Sequence, residues 1–517
     1  MRTTGIFKTA VAATALACTL AACGGTTESG GDGTGAVNPN GEFVIASITV
    51  PSGFDPHKEL HGGERPFWFL VFDRLTQMNT QGEIEPMLAT EWTVAEDGKE
   101  VTFTLRDDVT FNDGSAFDAE TVKANFERAK SIEGSMVLPA LETVDSVEVV
   151  SPTEVKFVLN TSNPELPAIL AGPAGAMISP DAVKNKTDLS LDPGTAGSGP
   201  YKVAKFTPSE GVVFSQADDE NWDEDAGQLK KLEFKFIPDE RTLVSAVRAG
   251  EIDAGYISPF RGASIKEAEG IAKQGKYNLK TSPSGVLNAT LLRTTRLDKD
   301  VRQAIIQAVD RKQIAEGLMQ GTCSASDQVT REGFAGHIED FEDPFPYDPA
   351  AAKDLLAKAG EKNLKIEIGY IAGRDEIPQV IKENLGEVGV TAELSPLSSV
   401  EVLSAWRAGD LDVWNYQATP DLSFKLSADQ LLNTTGVDMK DQAVLSAVAS
   451  TLDVVDDADR AEADAAAMQK VIDEAVVVPY CHFDAHWLVA KDVSGFDEAM
   501  LPYAQYMLDL RDVARTQ

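Results

Sequence analysis

Apolar and polar residues alternate with period two in Val101-Thr-Phe-Thr-Leu105, in Val144 to Val149 and in Glu154 to Leu159. The last two flank the turn residues Ser151-Pro152-Thr153, so the pattern predicts half-buried strands joined through a reversal. Elsewhere the spacing lengthens to that of a helix face. Asp118 stands as an N-cap before Val122, Phe126 and Ala129, and Val301, Ala304, Ile305, Ala308 and Val309 form a second face. Asp348-Pro349 followed by Ala352, Leu355, Leu356, Ala359 and Gly360 has cap, first-turn proline and terminal glycine in place. Strands and helices alternating along most of the chain predict an α/β fold.

One unit occurs twice. Val244-Ser-Ala-Val-Arg-Ala-Gly-Glu-Ile-Asp253 returns as Leu403-Ser-Ala-Trp-Arg-Ala-Gly-Asp-Leu-Asp412, each reading as a helix ended by glycine and followed by a strand. Two copies are too few for a solenoid, which needs at least three stacked repeats. They predict two similar lobes, and a cleft between lobes is a common place for a ligand.

The 517 residues exceed an ordinary single domain, and 43% hydrophobic with 25% charged residues describes a chain able to bury a large core. Lys and Arg total 46 against 82 Asp and Glu. Such an excess of acid argues against nucleic acid as a partner, because phosphate binding needs a basic surface. It is compatible with cationic or zwitterionic ligands.

Arg2 and Lys8 precede an apolar run, Ala10 to Ala22, too short to span a bilayer as a mature helix and read as an export signal over residues 1–22. It ends in Leu20-Ala-Ala-Cys23-Gly24, which resembles the lipobox of bacterial lipoproteins; the resemblance implies acylation of Cys23 and anchoring to the membrane. Residues 23–40 have the composition of a flexible tether. Once the signal is removed, Cys323 and Cys481 are the remaining pair of thiols beside Cys23. In an oxidising compartment they either form a disulfide or stay as buried free thiols, and the disulfide is our expectation.

The order and spacing of several further segments carry a family resemblance. They are Gly82-Glu-Ile-Glu-Pro86-Met-Leu-Ala-Thr-Glu-Trp92, Asp97-Gly98 with Phe103-Thr-Leu-Arg106, Phe111-Asn-Asp-Gly114 with Phe117-Asp-Ala-Glu120, Gly197-Ser-Gly199-Pro-Tyr201, Asp239-Glu-Arg-Thr242, Gly250-Glu-Ile-Asp253, and Tyr347-Asp-Pro349 through Gly360. The chain, from about Gly41 to its end, resembles the peptide/nickel-binding family of extracellular solute-binding proteins of ABC importers. That resemblance implies a two-lobed type II periplasmic-binding fold with an inserted subdomain in the first lobe. The expected boundaries are 41–74, 197–283 and 487–517 for lobe I, 75–196 for the insert and 284–486 for lobe II. It also implies a small, peptide-like ligand, delivery to permease subunits, and a monomer; no cofactor is expected. Other cargoes, namely a sugar, a metal chelate or another amine, remain open.

In dipeptide-binding members of that family a carboxylate pairs with the ligand ammonium at a fixed offset after a Gly-Asp-x-Asp turn. Counting from Gly409-Asp-Leu-Asp412 places Asp421 there, with Gln417-Ala418 standing where the family has Gly-Trp. Arg374, after the apolar stretch Ile366 to Ile371, is the candidate to take a ligand carboxylate, since guanidinium binds carboxylate bidentately, and an ordinary cap or surface charge is its other reading. Trp414 and Tyr416 fall on one face of a predicted strand and stay open as cleft residues, whereas Trp406 has core spacing. His57 to His61 and His482 to His486 share an H-x3-H spacing, but the second lies in an extended apolar context where that spacing is too long for one ion, so no metal site is expected. A secreted hydrolase is the competing class; the sequence contains no G-x-S-x-G, HExxH or P-loop, and no catalytic residue is assigned. A ligand-sensing receptor is a further alternative.

Overall fold

We describe a computed structural model over residues 36–58, 62–218, 221–258, 265–319, 322–434, 439–504 and 506–517. The expected signal run, Cys23 and the tether as far as Gly35 lie outside the described residues, as does His61.

Two largely apolar stretches, Val286 to Leu292 and Val477 to Phe483, lie in the longest strands. Tyr277–Leu292 (16 residues) and Val477–Ala490 (14 residues) run antiparallel, paired from Tyr277 opposite Ala490 to Leu291 opposite Val477. Being covered on both faces, these runs need no polar alternation. They form the middle of an 11-stranded sheet. At one end of the spine, Ala254–Tyr256 joins Trp487 to Val489 and leads outward through Glu42–Ser47, Lys231–Phe236, Gly211–Gln216 and Tyr201–Thr207. At the other end, Val413–Ala418 joins Leu287 to Leu292 and leads to Lys365–Ile371 and Thr391–Leu397. Two lobes are thus hung on opposite ends of one strand pair.

Between them the ladder breaks. Its register shifts between Pro283 and Leu287, and again between Asn288 and Ala289. In the gap, Ser284 Oγ donates to the Phe483 carbonyl at 2.8 Å and the Gly285 N–H donates to Pro502 O at 2.8 Å. A short strand, Cys323–Ala325, is laid on the spine opposite Cys481 to Phe483. The Cys323–Cys481 disulfide, with Cα atoms 5.7 Å apart, fastens it there.

The repeated unit performs the same task in both lobes. Helix Glu240–Ala249 ends at Gly250 (φ +75°) and helix Ser399–Ala408 at Gly409 (φ +82°), the left-handed turn that glycine adopts without steric cost. Three residues later an aspartate closes onto the neighbouring parallel strand. Asp253 Oδ2 accepts the Val44 N–H and Asp412 Oδ2 the Glu367 N–H, both at 2.8 Å. Each also pairs with an arginine, Arg515 for Asp253 and Arg296 for Asp412.

A separate four-stranded antiparallel sheet, in the order Ala89–Val94, Glu100–Leu105, Glu154–Leu159, Val144–Ser151, carries helix Ala119–Ser131. Asp118 caps that helix by accepting the Thr121 N–H at 2.9 Å. Phe103, Phe126 and Phe157 meet in a core of their own, distinct from that of the large sheet.

Two outcomes follow. Asp412→Ala strands the Glu367 N–H and should cost about 1 to 3 kcal/mol in denaturant unfolding, the usual loss when a buried donor is left unpaired; an unchanged midpoint would show that water takes over. Reducing the Cys323–Cys481 bond should lower unfolding stability by about 2 to 4 kcal/mol, because the bridge closes a long loop in the unfolded chain. Denaturation with and without reductant checks this.

Candidate functional site

Strand Val413–Ala418 presents aromatic residues in steps of two. Trp414 is 6% exposed and stands between Trp406 (ring centroids 5.6 Å apart) and Tyr416 (4.6 Å). The stack therefore runs from the core of the second lobe to a cleft, where Tyr416 separates two cavities. Trp406 is core, as its spacing predicts, at 1% exposure.

The first cavity, about 140 Å³, lies where the lobes and the inserted segment meet. Met78, Gly82 and Tyr503 face Thr330, Phe334 and Asp421 across it, with Gly285 of the crossing strand at its edge. A Cβ at Gly285 would stand 2.6 Å from Phe334 and 2.7 Å from Pro420, so this glycine lets the two loops close on the spine. Asp421 is half-buried. Its Oδ1 accepts the Leu422 N–H at 2.7 Å and its own N–H donates to Ser427 Oγ at 2.7 Å. Among the described residues no cationic side chain pairs with it.

The second cavity, about 390 Å³, lies on the other side of Tyr416 and collects Arg374, Trp414 and Gln417 with Asn288 and Met319. Arg374 follows a turn in which its N–H returns to Ile371 O at 3.1 Å and Gly373 takes φ +87°. Its Nη1 donates to Gln417 Oε1 at 2.8 Å. Trp414 Nε1 and Asn288 Nδ2, on residues that line this cavity, are themselves buried and have no hydrogen-bond partner among the described residues. A pocket lined by a guanidinium suits an oxyanion or carboxylate. Tyr506 lies near both Arg65 and Arg374; burial nonetheless raises its hydroxyl pKa above the usual tyrosine value.

Arg374, Trp414, Tyr416 and Gln417 therefore share one cavity, and Asp421 shares the adjoining one with Tyr416. Asn288 was not singled out from the sequence, although a polar residue inside the run Val286-Leu-Asn-Ala-Thr-Leu-Leu292 is the kind of signal that marks a buried polar site. Phe334 and Thr330 come from a loop without periodicity and carry no such signal.

The histidines stand apart from this chemistry. His482 Nε2 donates to the Val329 carbonyl at 3.0 Å and His486 Nδ1 contacts Thr281 Oγ1 at 3.1 Å. No cluster able to hold a metal ion is found among the described residues.

A family model described as "Bacterial extracellular solute-binding proteins, family 5 Middle" matches residues 83–436, and the chain belongs to that family. Its fold is the two-lobed type II periplasmic-binding fold. The glutathione-binding protein GsiB of Salmonella paratyphi A is 28% identical over 327 residues, 61% of this chain and 62% of that protein; the chain thus spans somewhat under two thirds of the length of the curated relatives it matches. Among solved structures, NikA from Brucella suis in complex with Fe(III)-EDTA matches at TM-score 0.78 and 23% identity, covering 92% of this chain and all (100%) of that one. DppA from Helicobacter pylori in complex with the peptide STSA matches at TM-score 0.77 and 20% identity, covering 92% and 98%. These likenesses establish the fold.

Burial pushes the pKa of His482 down to about 4. The sign follows: the native state excludes a proton that the unfolded chain binds, so this stabilising term is full above the ordinary histidine value near 6.5 and is lost as pH falls toward 4. The imidazole NMR signals of His482 should stay in the neutral form down to about pH 5; titration near 6.5 would contradict its burial.

Proposed function

We propose that the protein is an extracytoplasmic solute-binding lipoprotein that takes a short peptide, or a small zwitterion of the same kind, between its lobes and delivers it to an ABC-type import permease. The observation that carries this reading is the disposition of charge in the cleft. Asp421, without a cation of its own among the described residues, lines one cavity, and Arg374 lines the next. An ammonium suits the first and a carboxylate the second, with Tyr416 as the flat surface between. Relatives named for glutathione and for a bound peptide support the same class of cargo. The spine supports closure as the mechanism: a ligand touching both lobes binds the closed form better than the open one and shifts the population toward it. Membrane attachment through acyl-Cys23 is part of the proposal, as is the monomeric state; no chemistry on the cargo is proposed.

A chelate cargo is favoured by one observation, since a relative of the same fold holds Fe(III)-EDTA and the Arg374 cavity suits its carboxylates. Calorimetry with glutathione and a panel of di- and tripeptides separates the two. For a peptide ligand, Asp421→Ala should weaken binding by about 1.5 to 3 kcal/mol, the range for hydrogen bonds to charged groups. Asp421→Asn, which keeps the shape and loses the charge, should lose most of that, and Arg374→Ala a similar amount. If no peptide binds, or if Asp421→Ala binds the peptide as the native chain does, the peptide reading fails. A carboxylate-rich chelate that depends on Arg374 alone would then take its place.

A further inference from the structure

The cavity beside Asp421 is walled differently from the one beside Arg374. Asp421 is the one charged residue among the described residues that line it. The rest of the wall includes Met78, Leu287, Phe334, Phe424, Leu431 and Met468. Leu287, Phe424, Leu431 and Met468 belong to a buried hydrophobic core of the second lobe, so much of the wall is hydrocarbon packed from behind. Ser427, on helix Phe424–Asp429, is a polar member of the wall. Its hydroxyl is spent inside the protein, accepting the Asp421 N–H at 2.7 Å and donating to the Ser423 carbonyl at 2.9 Å. Thr330, Thr419 and Gln430 add polar groups without charge.

This wall is also braced. Glu165, 7% exposed, reaches from the inserted segment so that Oε1 accepts the Phe424 N–H at 2.9 Å and Oε2 accepts the Ser423 hydroxyl at 2.5 Å. Ser423 in turn caps the helix by accepting the Leu426 N–H at 3.2 Å, and Leu426 packs against the core of the inserted segment. On the other side of Phe424, a Cβ at Gly336 would stand 2.6 Å from its ring, so the loop that supplies Phe334 closes directly onto it. A wall held from both sides is formed before the ligand arrives, and a preorganised pocket discriminates by size and polarity instead of adapting to each occupant.

We propose that this cavity receives the side chain of the ligand's first residue, the one whose ammonium pairs with Asp421, and so selects peptides that begin with an apolar residue the size of leucine, methionine or phenylalanine. The inference rests on the peptide reading above and adds to it the choice among peptides. Ammonium and first side chain leave the same carbon. An ammonium held at Asp421 therefore brings its own side chain to this wall, while the remainder of the peptide passes Tyr416 towards Arg374. The volume, about 140 Å³, is close to that of an apolar cavity of about 150 Å³, which stays dry and accepts a benzene-sized group. Burying such a side chain is worth about 10- to 100-fold in affinity over glycine. A carboxylate in the same place loses its water and is repelled by Asp421.

Calorimetry of the full chain with Leu-Gly, Phe-Gly, Gly-Leu, Glu-Gly and Gly-Gly, each also extended by one C-terminal glycine, reads the selection directly. Leu-Gly and Phe-Gly should bind at least about tenfold more tightly than Gly-Leu, which has the atoms of Leu-Gly in the other order, and Glu-Gly should bind most weakly. Ala335→Leu, at an exposed loop position that lines the cavity, should fill it and bring Leu-Gly down to the level of Gly-Gly. Equal affinity for Leu-Gly and Gly-Leu, or tightest binding by Glu-Gly, would overturn the selection and leave the peptide reading standing. A native preference for Leu-Gly that persists in folded Ala335→Leu would also overturn it, by placing the side chain elsewhere. Binding by none of these peptides would remove the peptide reading itself, and this inference with it.

Discussion

The antiparallel pairing of Tyr277–Leu292 with Val477–Ala490 is the constraint on which the rest of the molecule depends. A strand pair buried on both faces is stiff along its hydrogen-bonded stretches, so each lobe is held rigidly at its own end. Compliance is left where the ladder shifts register, from Pro283 to Ala289. Gly285 occupies that gap because any Cβ there would meet Phe334 and Pro420, and the disulfide fixes a third strand against the same stretch. The cleft, the loops that line it and the register shifts in the spine ladder coincide, which is the arrangement expected of a hinge that closes over a ligand.

Charge is distributed to match. The chain is strongly acidic, yet its acids are mostly solvated, and those brought inside are engaged in specific ways. Asp253 and Asp412 tie helix ends to strands. Asp73 is fully buried and accepts from Arg511, Ser198 and Trp222, which binds the C-terminal segment to the first lobe. Buried charge of this kind requires complete pairing. Asp421, half-buried at the cleft, has no cationic partner among the described residues. A carboxylate so placed is what the cationic group of a ligand is positioned to complete.

Much of the fold was legible from local chemistry. The alternation in Glu154 to Leu159 became a strand with those bounds, Asp118 and Asp348 cap the helices they were expected to start, and the duplicated helix-glycine-aspartate unit proved to be the same strand lock used twice. Arg374, Gln417 and Tyr416 were brought to one cavity because they follow or lie on adjacent strands, and strand ends are where sequence offsets translate into space. Asn288 carried a usable signal, a polar residue in an apolar run. Glu165 carried none: an acidic residue is ordinary in so acidic a chain, and its bonds to the Ser423 hydroxyl and the Phe424 N–H arise from the docking of elements 258 and 259 residues apart in sequence, which no local pattern encodes.

The central claim is that the cleft is completed by a ligand bearing both an ammonium and a carboxylate. Mass spectrometry of small molecules released on denaturing the protein, purified under non-denaturing conditions from cells that express it, tests that claim most directly. The account predicts a short peptide or related zwitterion in near-stoichiometric amount. Recovery of an uncharged sugar at that stoichiometry would contradict it.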